Sequence, residues 1–394
     1  MRKFAVDLLE AMVQLYSPTG HELEISHFLF NQLENQGFTT HIDDAGNVIG
    51  EYGAGSPKLL LCGHMDTVPG VLPVKIKGGR LFGRGTVDAK SSLAAMITVA
   101  SMLLKDKFSG KIIVAGVVEE EGSGRGVQQL LKDNLEVDYA LFGEPSGVDQ
   151  ITIAYKGSLY VKILVRTRTG HSSAPWFFDN AIEKAFEIYR LLQDLSVTSV
   201  TKESKFYSIS SCLIKIRGGS LSSNIPSKCE FHIDFRFPPQ ITSMKLFENV
   251  ESILVEYGKN HPTVSVKAQI LDSCESYEAN TRSVLVRSLS WAIRLVKGKP
   301  ATWLRKTGTG DMNIYGASTM IPTATYGVGD SRLDHTSNES VDLKEYEESI
   351  LILFNGLKKL VELHQTNEIE VHGEKKLLYR YFIPDCLSLF KFNP

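Results

Sequence analysis

The stretch Leu59-Leu-Leu-Cys-Gly-His-Met-Asp66 joins an apolar run to a histidine and an aspartate. The apolar residues predict a buried strand over 58–62. Because side chains two residues apart share one face of a strand, His64 and Asp66 are expected to point into the same cleft. We interpret His64 as a metal ligand whose other ring nitrogen is hydrogen-bonded to Asp66. The alternative is a histidine at a strand end beside an ordinary turn aspartate.

Around this strand, strand-like and helix-like patterns alternate. Helical spacing of apolar residues covers 4–36 with a break at 17–20, and recurs at 91–104 and 128–132; strand-like runs lie at 48–49, 111–118 and 139–142. This alternation predicts an α/β fold with a mostly parallel sheet flanked by helices. Such sheets bind ligands beyond the carboxyl ends of their strands, where His64 and Asp66 lie.

The pattern changes after residue 156. Strand-like stretches at 159–167, 207–216, 229–237 and 263–270, with helical stretches at 180–195 and 245–257, predict an inserted α+β module with a four-stranded sheet. Helices at 283–296 and 343–363 and a strand at 319–326 then resume the first pattern. The predicted domains are 1–155 together with 273–365, an inserted lid at 156–272, and a tail of unknown role at 366–394.

Composition excludes several classes of protein. Lys and Arg number 43 against 45 Asp and Glu, a net charge of −2, which is not the signature of a nucleic-acid or anionic-membrane binder. No apolar run approaches the roughly 20 residues of a membrane span, and the first residues do not resemble a signal peptide. The five cysteines are scattered and lack Cys-x-x-Cys spacing, so we expect reduced thiols and a cytoplasmic location.

Further candidate ligands lie in short glycine-rich signatures. Asp88 precedes the helical stretch 91–104, where its carboxylate could bridge two cations about 3.5–4 Å apart; the alternative is a helix N-cap. Glu144 before Pro145, and His335, complete the ligand count. Glu339 is expected to orient the His335 ring.

The acidic run Glu119-Glu120-Glu121 ends a very apolar strand. Three adjacent charges in that position repel one another unless cations or solvent screen them. We interpret Glu119 as the general base that activates water, Glu120 as a metal ligand and Glu121 as solvated. A solvent-exposed charged loop is the alternative. Oxygen and imidazole ligands without thiolates suit zinc, cobalt or manganese, and two ions per subunit, zinc or cobalt, are expected.

Polar residues elsewhere are candidates for contacts with substrate. His171, between Gly170 and Ser172, is available to donate to a developing oxyanion, and Asn224 could bind the same carbonyl. Arg236 could clamp a carboxylate, while Arg305 and Asp311 could face the substrate, Asp311 suiting a cationic amino group. Turn residues, an ordinary ion pair and a flexible surface loop are the alternatives for these positions.

Taken together, these motifs resemble the co-catalytic metallopeptidase and deacylase family over about residues 5–363. The motifs that carry the resemblance are Gly63-His-Met-Asp66, Gly85-Thr-Val-Asp88, Glu119-Glu120, Gly143-Glu-Pro145, Gly170-His-Ser-Ser173 and Asn224-Ile-Pro226. The resemblance implies one metal held by His64, Asp88 and Glu144, and another held by Asp88, Glu120 and His335. It also implies Asp66 as the support of His64, Glu119 as the base, and a homodimer formed through the lid, in which His171 reaches the partner's site.

Within that family, Val118-Glu-Glu-Glu-Gly-Ser-Gly-Arg-Gly126 and Gly329-Asp-Ser-Arg-Leu-Asp-His-Thr336 are most similar to hydrolases of carrier-protein lysine and arginine biosynthesis. This similarity implies release of lysine or ornithine from the C-terminal Glu of the amino-group carrier protein LysW. The alternatives are an acetylornithine deacetylase, a succinyl-diaminopimelate desuccinylase, a metallo-carboxypeptidase or dipeptidase, and a non-catalytic protein that kept the fold.

Overall fold

The computed structural model describes residues 2–196, 204–219 and 223–373. Its helices are α1 Arg2–Gln14, α2 Leu23–Gln36, α3 Lys90–Lys105, α4 Arg125–Lys132, α5 Ala181–Gln193, α6 Ser243–Asn260, α7 Val284–Lys297, α8 Asp311–Thr319 and α9 Leu343–Gly373. Its strands are β1 Thr39–Ile42, β2 Val48–Tyr52, β3 Lys58–His64, β4 Lys75–Lys77, β5 Arg80–Phe82, β6 Lys111–Val117, β7 Tyr139–Phe142, β8 Gln150–Tyr155, β9 Gly157–Arg166, β10 Ser210–Gly218, β11 Lys228–Phe237, β12 Ser265–Cys274, β13 Tyr277–Glu278, β14 Thr302–Lys306, β15 Thr323–Thr325 and β16 Ser340–Asp342.

The large sheet has the order β1-β2-β6-β3-β7-β15-β8-β13, with β14 also paired to β8. Its centre, β6-β3-β7-β15, is parallel, whereas β1, β2 and β13 pair antiparallel with their neighbours. Leu59, Leu60 and Leu61 in β3 are fully buried, as is typical of a parallel strand covered by helices on both faces. The predicted α/β class is confirmed. The centre of the sheet is parallel as expected, and the antiparallel strands beside it make the whole sheet mixed.

Helix α3 packs closely on β3 because the strand carries a glycine near its end. A β-carbon at Gly63 would lie 3.1 Å from Leu93 Cβ, so a larger residue would push α3 away. Helix α3 is buried along most of its length. This packing fixes the end of β3, and therefore His64, against the start of α3, which begins two residues after Asp88.

The small sheet is antiparallel and has the order β10-β11-β9-β12. In β9 the alternate residues Leu159, Val161, Ile163 and Val165 are fully buried, and α5 and α6 contribute to the same core. Asn180 and Thr242 cap these two helices by accepting hydrogen bonds from backbone amides in the first turn. The predicted four-stranded module therefore has the sheet and helices that its pattern indicated.

Several elements differ from the sequence-based expectations. A three-stranded sheet, β16-β5-β4, was not predicted, and α8 begins at Asp311, where a loop was expected. Helix α9 continues ten residues past the predicted end at Leu363, to Gly373. Residues 374–394 of the predicted tail and 220–222 of the loop before Asn224 lie outside the described residues. Among the described helices, none has the length and apolar character needed to cross a membrane.

Candidate active site

His64 ends β3 and is 1 % exposed. Its Nε2 lies 3.1 Å from Asp88 Oδ1 and 3.4 Å from Glu144 Oε1, while its Nδ1 faces Asp66, 3.0 Å from the carbonyl and 3.4 Å from Oδ1. Burial alone would lower the pKa of His64, but hydrogen bonds to Asp66, Asp88 and Glu144 raise it well above its ordinary value. Three carboxylates therefore converge on one buried imidazole, an arrangement that calls for positive charge.

Asp88 connects this histidine to a second one. Its Oδ1 faces His64, and its Oδ2 lies 3.0 Å from His335 Nε2. Although burial opposes ionisation, hydrogen bonds to His335 and His64 lower the pKa of Asp88. One ionised carboxylate therefore faces both imidazoles, which is the geometry of a bridging ligand.

The acidic run differs from the prediction by one residue. Glu121 Oε1 lies 2.9 Å from His335 Nε2, whereas the Glu119 carboxylate turns to Arg125, 2.9 Å away, and to the Ser123 hydroxyl. Glu119 has a φ of 56°, in the left-handed region that non-glycine residues rarely adopt. This turn directs Glu119 away from the cluster and brings Glu121 into it. Glu121, which was expected to be solvated, is therefore the glutamate of the run that contacts His335, and which of Glu120 and Glu121 holds a metal stays a prediction.

Glu120, which the sequence analysis interpreted as a metal ligand, lies beside a cavity. It lies on the wall of this cavity, which has a volume of about 560 Å³, next to Glu121 and the start of α8. Burial, reinforced by the charge of Glu144, raises the pKa of Glu120 well above its ordinary value. A partly buried carboxylate with a raised pKa beside a cavity is suited to accept and return a proton.

Two candidate ligand sets result, and Asp88 is common to both. The donor atoms of His64, Asp88 and Glu144 lie within 4.8 Å of one another, as do those of Asp88, Glu121 and His335. Each set joins one imidazole to two carboxylates, and neither contains a thiolate. This donor set fits a divalent cation of the zinc, cobalt or manganese type.

Glu339 does not orient His335, contrary to the expectation. Its Oε1 accepts hydrogen bonds from the backbone amides of Val87 and Asp88, at 2.9 and 3.2 Å, and its Oε2 pairs with Arg84 at 2.8 Å. Both side chains of this ion pair are largely buried. Glu339 therefore fixes the backbone of the bridging carboxylate instead of the histidine ring.

Two residues from the polar turn after α1 also hold the site, and the sequence analysis did not identify them. Thr19 donates to Asp66 Oδ2 at 2.8 Å, and Glu22 Oε1 accepts from the Glu119 amide at 3.3 Å. The break at residues 17–20 in an otherwise helical pattern was the available signal. It indicated a turn, but it did not reveal that the turn touches the acidic run.

The candidate substrate residues have different surroundings. Asp311 begins α8 and lines the cavity, where burial raises its pKa to about 8. Arg236 binds Asp234 and reaches the Thr309 hydroxyl on the cavity wall. Arg305 does not line this cavity, because its guanidinium is paired with Glu278 and lies over the Tyr207 ring. The substrate contact expected of Arg305 stays a prediction, and in this structure its guanidinium is engaged in an ion pair.

His171 and Asn224 face each other across an isolated β-bridge. Both are exposed, and His171 Nδ1 lies 2.8 Å from the Ser173 hydroxyl. Within the part of this chain that the structure describes, no hydrogen bond or ion pair joins His171 to the ligand sets. A role of His171 in its own subunit's site is therefore not supported by contacts.

Comparison with known proteins agrees with this geometry. Residues 60–359 match the description "Peptidase family M20/M25/M40". The chain belongs to this family. Membership confirms the resemblance drawn from the motifs, and the chain is a hydrolytic enzyme that acts on amide bonds, in a metal-dependent family.

Relatives cover nearly the whole M20 chain. A Pyrococcus abyssi protein, provisionally named LysW-lysine/LysW-ornithine hydrolase, is 37% identical over 355 residues, 90% of this chain and 94% of its own. The LysW-lysine hydrolase of Deinococcus radiodurans is 31% identical over 364 residues, which cover 91% of this chain and 97% of its own. The solved structure of aminopeptidase PepT from Bacillus cereus matches 92% of this chain and 99% of its own with a TM-score of 0.78 at 20% identity. This similarity supports the fold.

Proposed function

We propose that this M20 enzyme releases lysine or ornithine from LysW by hydrolysing the amide between the C-terminal Glu side chain of the carrier and the α-amino group of the product. The substrate is supported by relatives named for this reaction that match over nine-tenths of the chain. The reaction class rests on one observation: the partly buried carboxylate of Glu120 lines a cavity beside two candidate ligand sets that share Asp88.

Within this proposal the ligand sets hold two cations, zinc or cobalt. His64, Asp88 and Glu144 hold one, and Asp88, Glu121 and His335 hold the other. When bound, the cations supply Lewis acidity that polarises the amide carbonyl and acidifies water. Asp66 supports the His64 ring from its other nitrogen.

Glu120 carries the proton in the proposed reaction. Its carboxylate accepts a proton from the attacking water as the water oxygen bonds to the carbonyl carbon. It then delivers that proton to the leaving amine nitrogen as the C–N bond breaks. Asp311, on the same cavity, is proposed to face the cationic group of the released amino acid, and Arg236 and Asn224 to contact the acyl portion.

A homodimer through the small domain completes the proposal, with His171 of each subunit donating to the oxyanion in the partner's site. Strand β10 is an edge of the described small sheet, and its Ile214 and Ile216 are 54% and 41% exposed, which is consistent with cover by a second copy. We also propose residues 1–155 with 273–365 as the catalytic unit and 156–272 as the lid, because two separate hydrophobic cores fall in these ranges. A cytoplasmic location is consistent with the described cysteines, which are free thiols.

The test compares purified enzyme on four substrates: LysW-lysine, LysW-ornithine, N-acetylornithine and a dipeptide with a C-terminal lysine. We expect amino-acid release from a LysW conjugate with kcat/KM at least about 100-fold higher than from the small amides, since remote binding energy raises kcat/KM. The Glu120→Gln variant is the control for contaminating peptidases. Preferred cleavage of N-acetylornithine or the dipeptide would reject the carrier-protein substrate and leave the amidohydrolase class intact.

A further inference from the structure

The three-stranded sheet of β4, β5 and β16 brings together two loops that carry candidate ligands. Strand β5 ends at Phe82 and leads to Asp88, while the loop of His335 leads into β16 at Ser340. Phe82 and Ser340 lie directly opposite each other in antiparallel strands. The two loops therefore leave the same end of one sheet, where Asp88 Oδ2 lies 3.0 Å from His335 Nε2.

Arg84 joins these two loops to each other and to a third one. Its Nη1 donates to the carbonyl of Thr336, the residue after His335, at 3.2 Å, and to Glu339 Oε2 at 2.8 Å. Its Nε donates at 3.2 Å to the carbonyl of Gly70, in the loop between β3 and β4. The Arg84 side chain is only 10% exposed. A guanidinium has several donors in fixed directions and can therefore bind three acceptors at once.

Glu339 completes the connection on the side of Asp88. Its Oε1 accepts hydrogen bonds from the amides of Val87 and Asp88, while its Oε2 pairs with Arg84. Its own carbonyl accepts from the amide of Gly83 at 3.3 Å. Hydrogen bonds therefore run without a break from the Asp88 backbone, through the buried ion pair, to the loop of His335.

His335 depends on this loop for its position. Its side chain is 49% exposed, whereas that of His64 is 1% exposed, so packing fixes His64 and not His335. His335 also has a φ of 60°, a conformation that a non-glycine residue keeps only where surrounding contacts impose it. The hydrogen bond from Arg84 falls on the carbonyl of the next residue and therefore acts directly on this backbone.

The candidate ligand set of Asp88, Glu121 and His335 is named the His335 set. We propose that Arg84 is a positioning residue for the His335 set. Together with Glu339 it keeps the Asp88 backbone and the His335 loop at their present separation, so the ligands are arranged before a cation binds. Ligands that are already arranged lose less conformational freedom on binding, which raises the affinity. The inference rests on the proposed function, because it takes the members of this set as metal ligands.

The test measures Zn²⁺ and Co²⁺ affinities of metal-free wild-type and Arg84→Lys proteins by competition with a chromophoric chelator. Lysine keeps a charge opposite Glu339 but has no planar fork, so it does not reach the Thr336 and Gly70 carbonyls at the same time. We expect one of the two affinities to fall about 10–100-fold, as for other partners of metal ligands, and the other to stay near that of the wild type. The melting temperature of the metal-free variant should stay near that of the wild type, because no buried charge loses its partner.

The His335→Ala protein identifies the affected site. It should lose the affinity that Arg84→Lys weakens. Adding Arg84→Lys to His335→Ala should then change the remaining affinity less than about twofold, because both substitutions act on one site. A fall in that remaining affinity would overturn the proposal, and so would equal losses of both affinities in Arg84→Lys alone.

Arg80→Lys is the matched control. Arg80 also joins β5 to β16, since its Nη2 donates to the Ser340 carbonyl at 2.7 Å and its Nε to the Ser340 hydroxyl at 3.2 Å. These contacts lie on the paired strands and not in the loop of His335, so this variant should keep both affinities. Equal losses in the two Lys variants would assign the effect to the sheet instead of Arg84. A loss of stability in Arg84→Lys with wild-type affinities would show that Arg84 only stabilises the fold.

A second variant serves if Arg84→Lys does not fold. Replacing Arg84 and Glu339 together by Gln leaves no unpaired buried charge, and the same affinity should fall. A wild-type protein that binds only one equivalent of metal would reject the His335 set, and with it the two-cation part of the proposed function. Two equivalents in the wild type with unchanged affinities in the variants would reject the role of Arg84 alone. These readouts need no substrate, so a failure of the carrier-protein reaction would appear only in the substrate comparison.

Discussion

The carboxylate of Asp66 accepts a hydrogen bond from the backbone amide of Glu121, at 3.1 Å to Oδ2. Its Oδ1 accepts a second bond from the amide of Glu120, also at 3.1 Å. Asp66 therefore lies against the His64 ring and also holds the turn that carries Glu120 and Glu121, the proposed base and ligand. The residue joins the two strand ends, β3 and β6, on which the site is built.

Replacing Asp66 by Asn should damage both functions. The amide has one acceptor oxygen, and its NH₂ group faces a backbone donor, so one loop contact is lost along with the charge beside His64. We expect metal affinity to fall about 10–100-fold, measured by equilibrium dialysis with elemental analysis. Thr19→Val, which removes only one hydroxyl donor to Asp66, is the milder control. Unchanged affinity in the Asn variant would show that Asp66 has no such role.

The turn at Glu119 gives opposite predictions for two neighbouring glutamates. Glu120→Gln should lower kcat by about 10²–10⁴-fold while metal content stays near that of the wild type, because the proton carrier is lost and the ligands remain. Glu119→Gln, on the adjacent residue, should retain most activity, since its carboxylate faces Arg125. Turnover and metal content measured on both proteins decide the assignment. If Glu119→Gln were instead the inactive protein, Glu119 would be the base, as the sequence analysis interpreted it.

The buried Arg84–Glu339 pair should be important for stability. Neutralising one partner leaves the other charge buried, so Glu339→Gln is expected to lower the free energy of unfolding by about 3–5 kcal/mol. Urea denaturation in the presence of a chelator separates this effect from metal binding. Glu362→Gln, which breaks an exposed pair with Lys359, should change stability by less than about 0.5 kcal/mol. Equal effects of the two substitutions on the free energy of unfolding would show that the buried pair has no special role in stability.

His171 and Glu120 offer a test of sharing between subunits. If His171 acts in the partner's site, the His171→Ala and Glu120→Gln proteins are each inactive, but a mixed dimer contains one intact site. Equal mixtures that exchange subunits should recover about a quarter of wild-type activity. If the mixture recovers no activity although native mass spectrometry verifies subunit exchange, His171 does not act across the interface.

Cys274 gives a prediction about pH. Burial and the nearby Asp272 and Glu275 raise the pKa of this cavity-lining thiol to about 12. Because the thiolate is the reactive form, alkylation of Cys274 by iodoacetamide should be slow at pH 8 and rise about tenfold per pH unit toward pH 12. The exposed Cys212 is the internal reference for peptide mass spectrometry. Faster labelling of Cys274 than of Cys212 at pH 8 would contradict the raised pKa of the Cys274 thiol.

The pairs of the site that follow from local periodicity were predictable. His64 ends β3 and Asp66 follows two residues later, and the structure places the Asp66 carboxylate 3.4 Å from His64 Nδ1, the pairing that this spacing predicted. The strand and helix patterns likewise gave the parallel core and the four-stranded module. These features depend on apolar residues whose spacing is visible in the chain.

Features that depend on one backbone torsion or on distant partners were not predictable. Whether Glu120 or Glu121 meets His335 depends on the φ of 56° at Glu119, and a run of three glutamates carries no signal for it. Glu339 meets the amides of Val87 and Asp88 some 250 residues earlier in the chain. The strands β4, β5 and β16 have three residues each, too few to show a period.

The single carboxylate between both imidazoles has a consequence for how the two proposed cations would be acquired. Asp88 belongs to both candidate ligand sets, so an ion in one set would neutralise part of the charge that the other set offers. The two cations would also repel each other, because like charges a few ångströms apart interact strongly in a buried site. Loading would then be sequential, with the second ion bound more weakly than the first, and metal limitation would produce molecules that hold one ion.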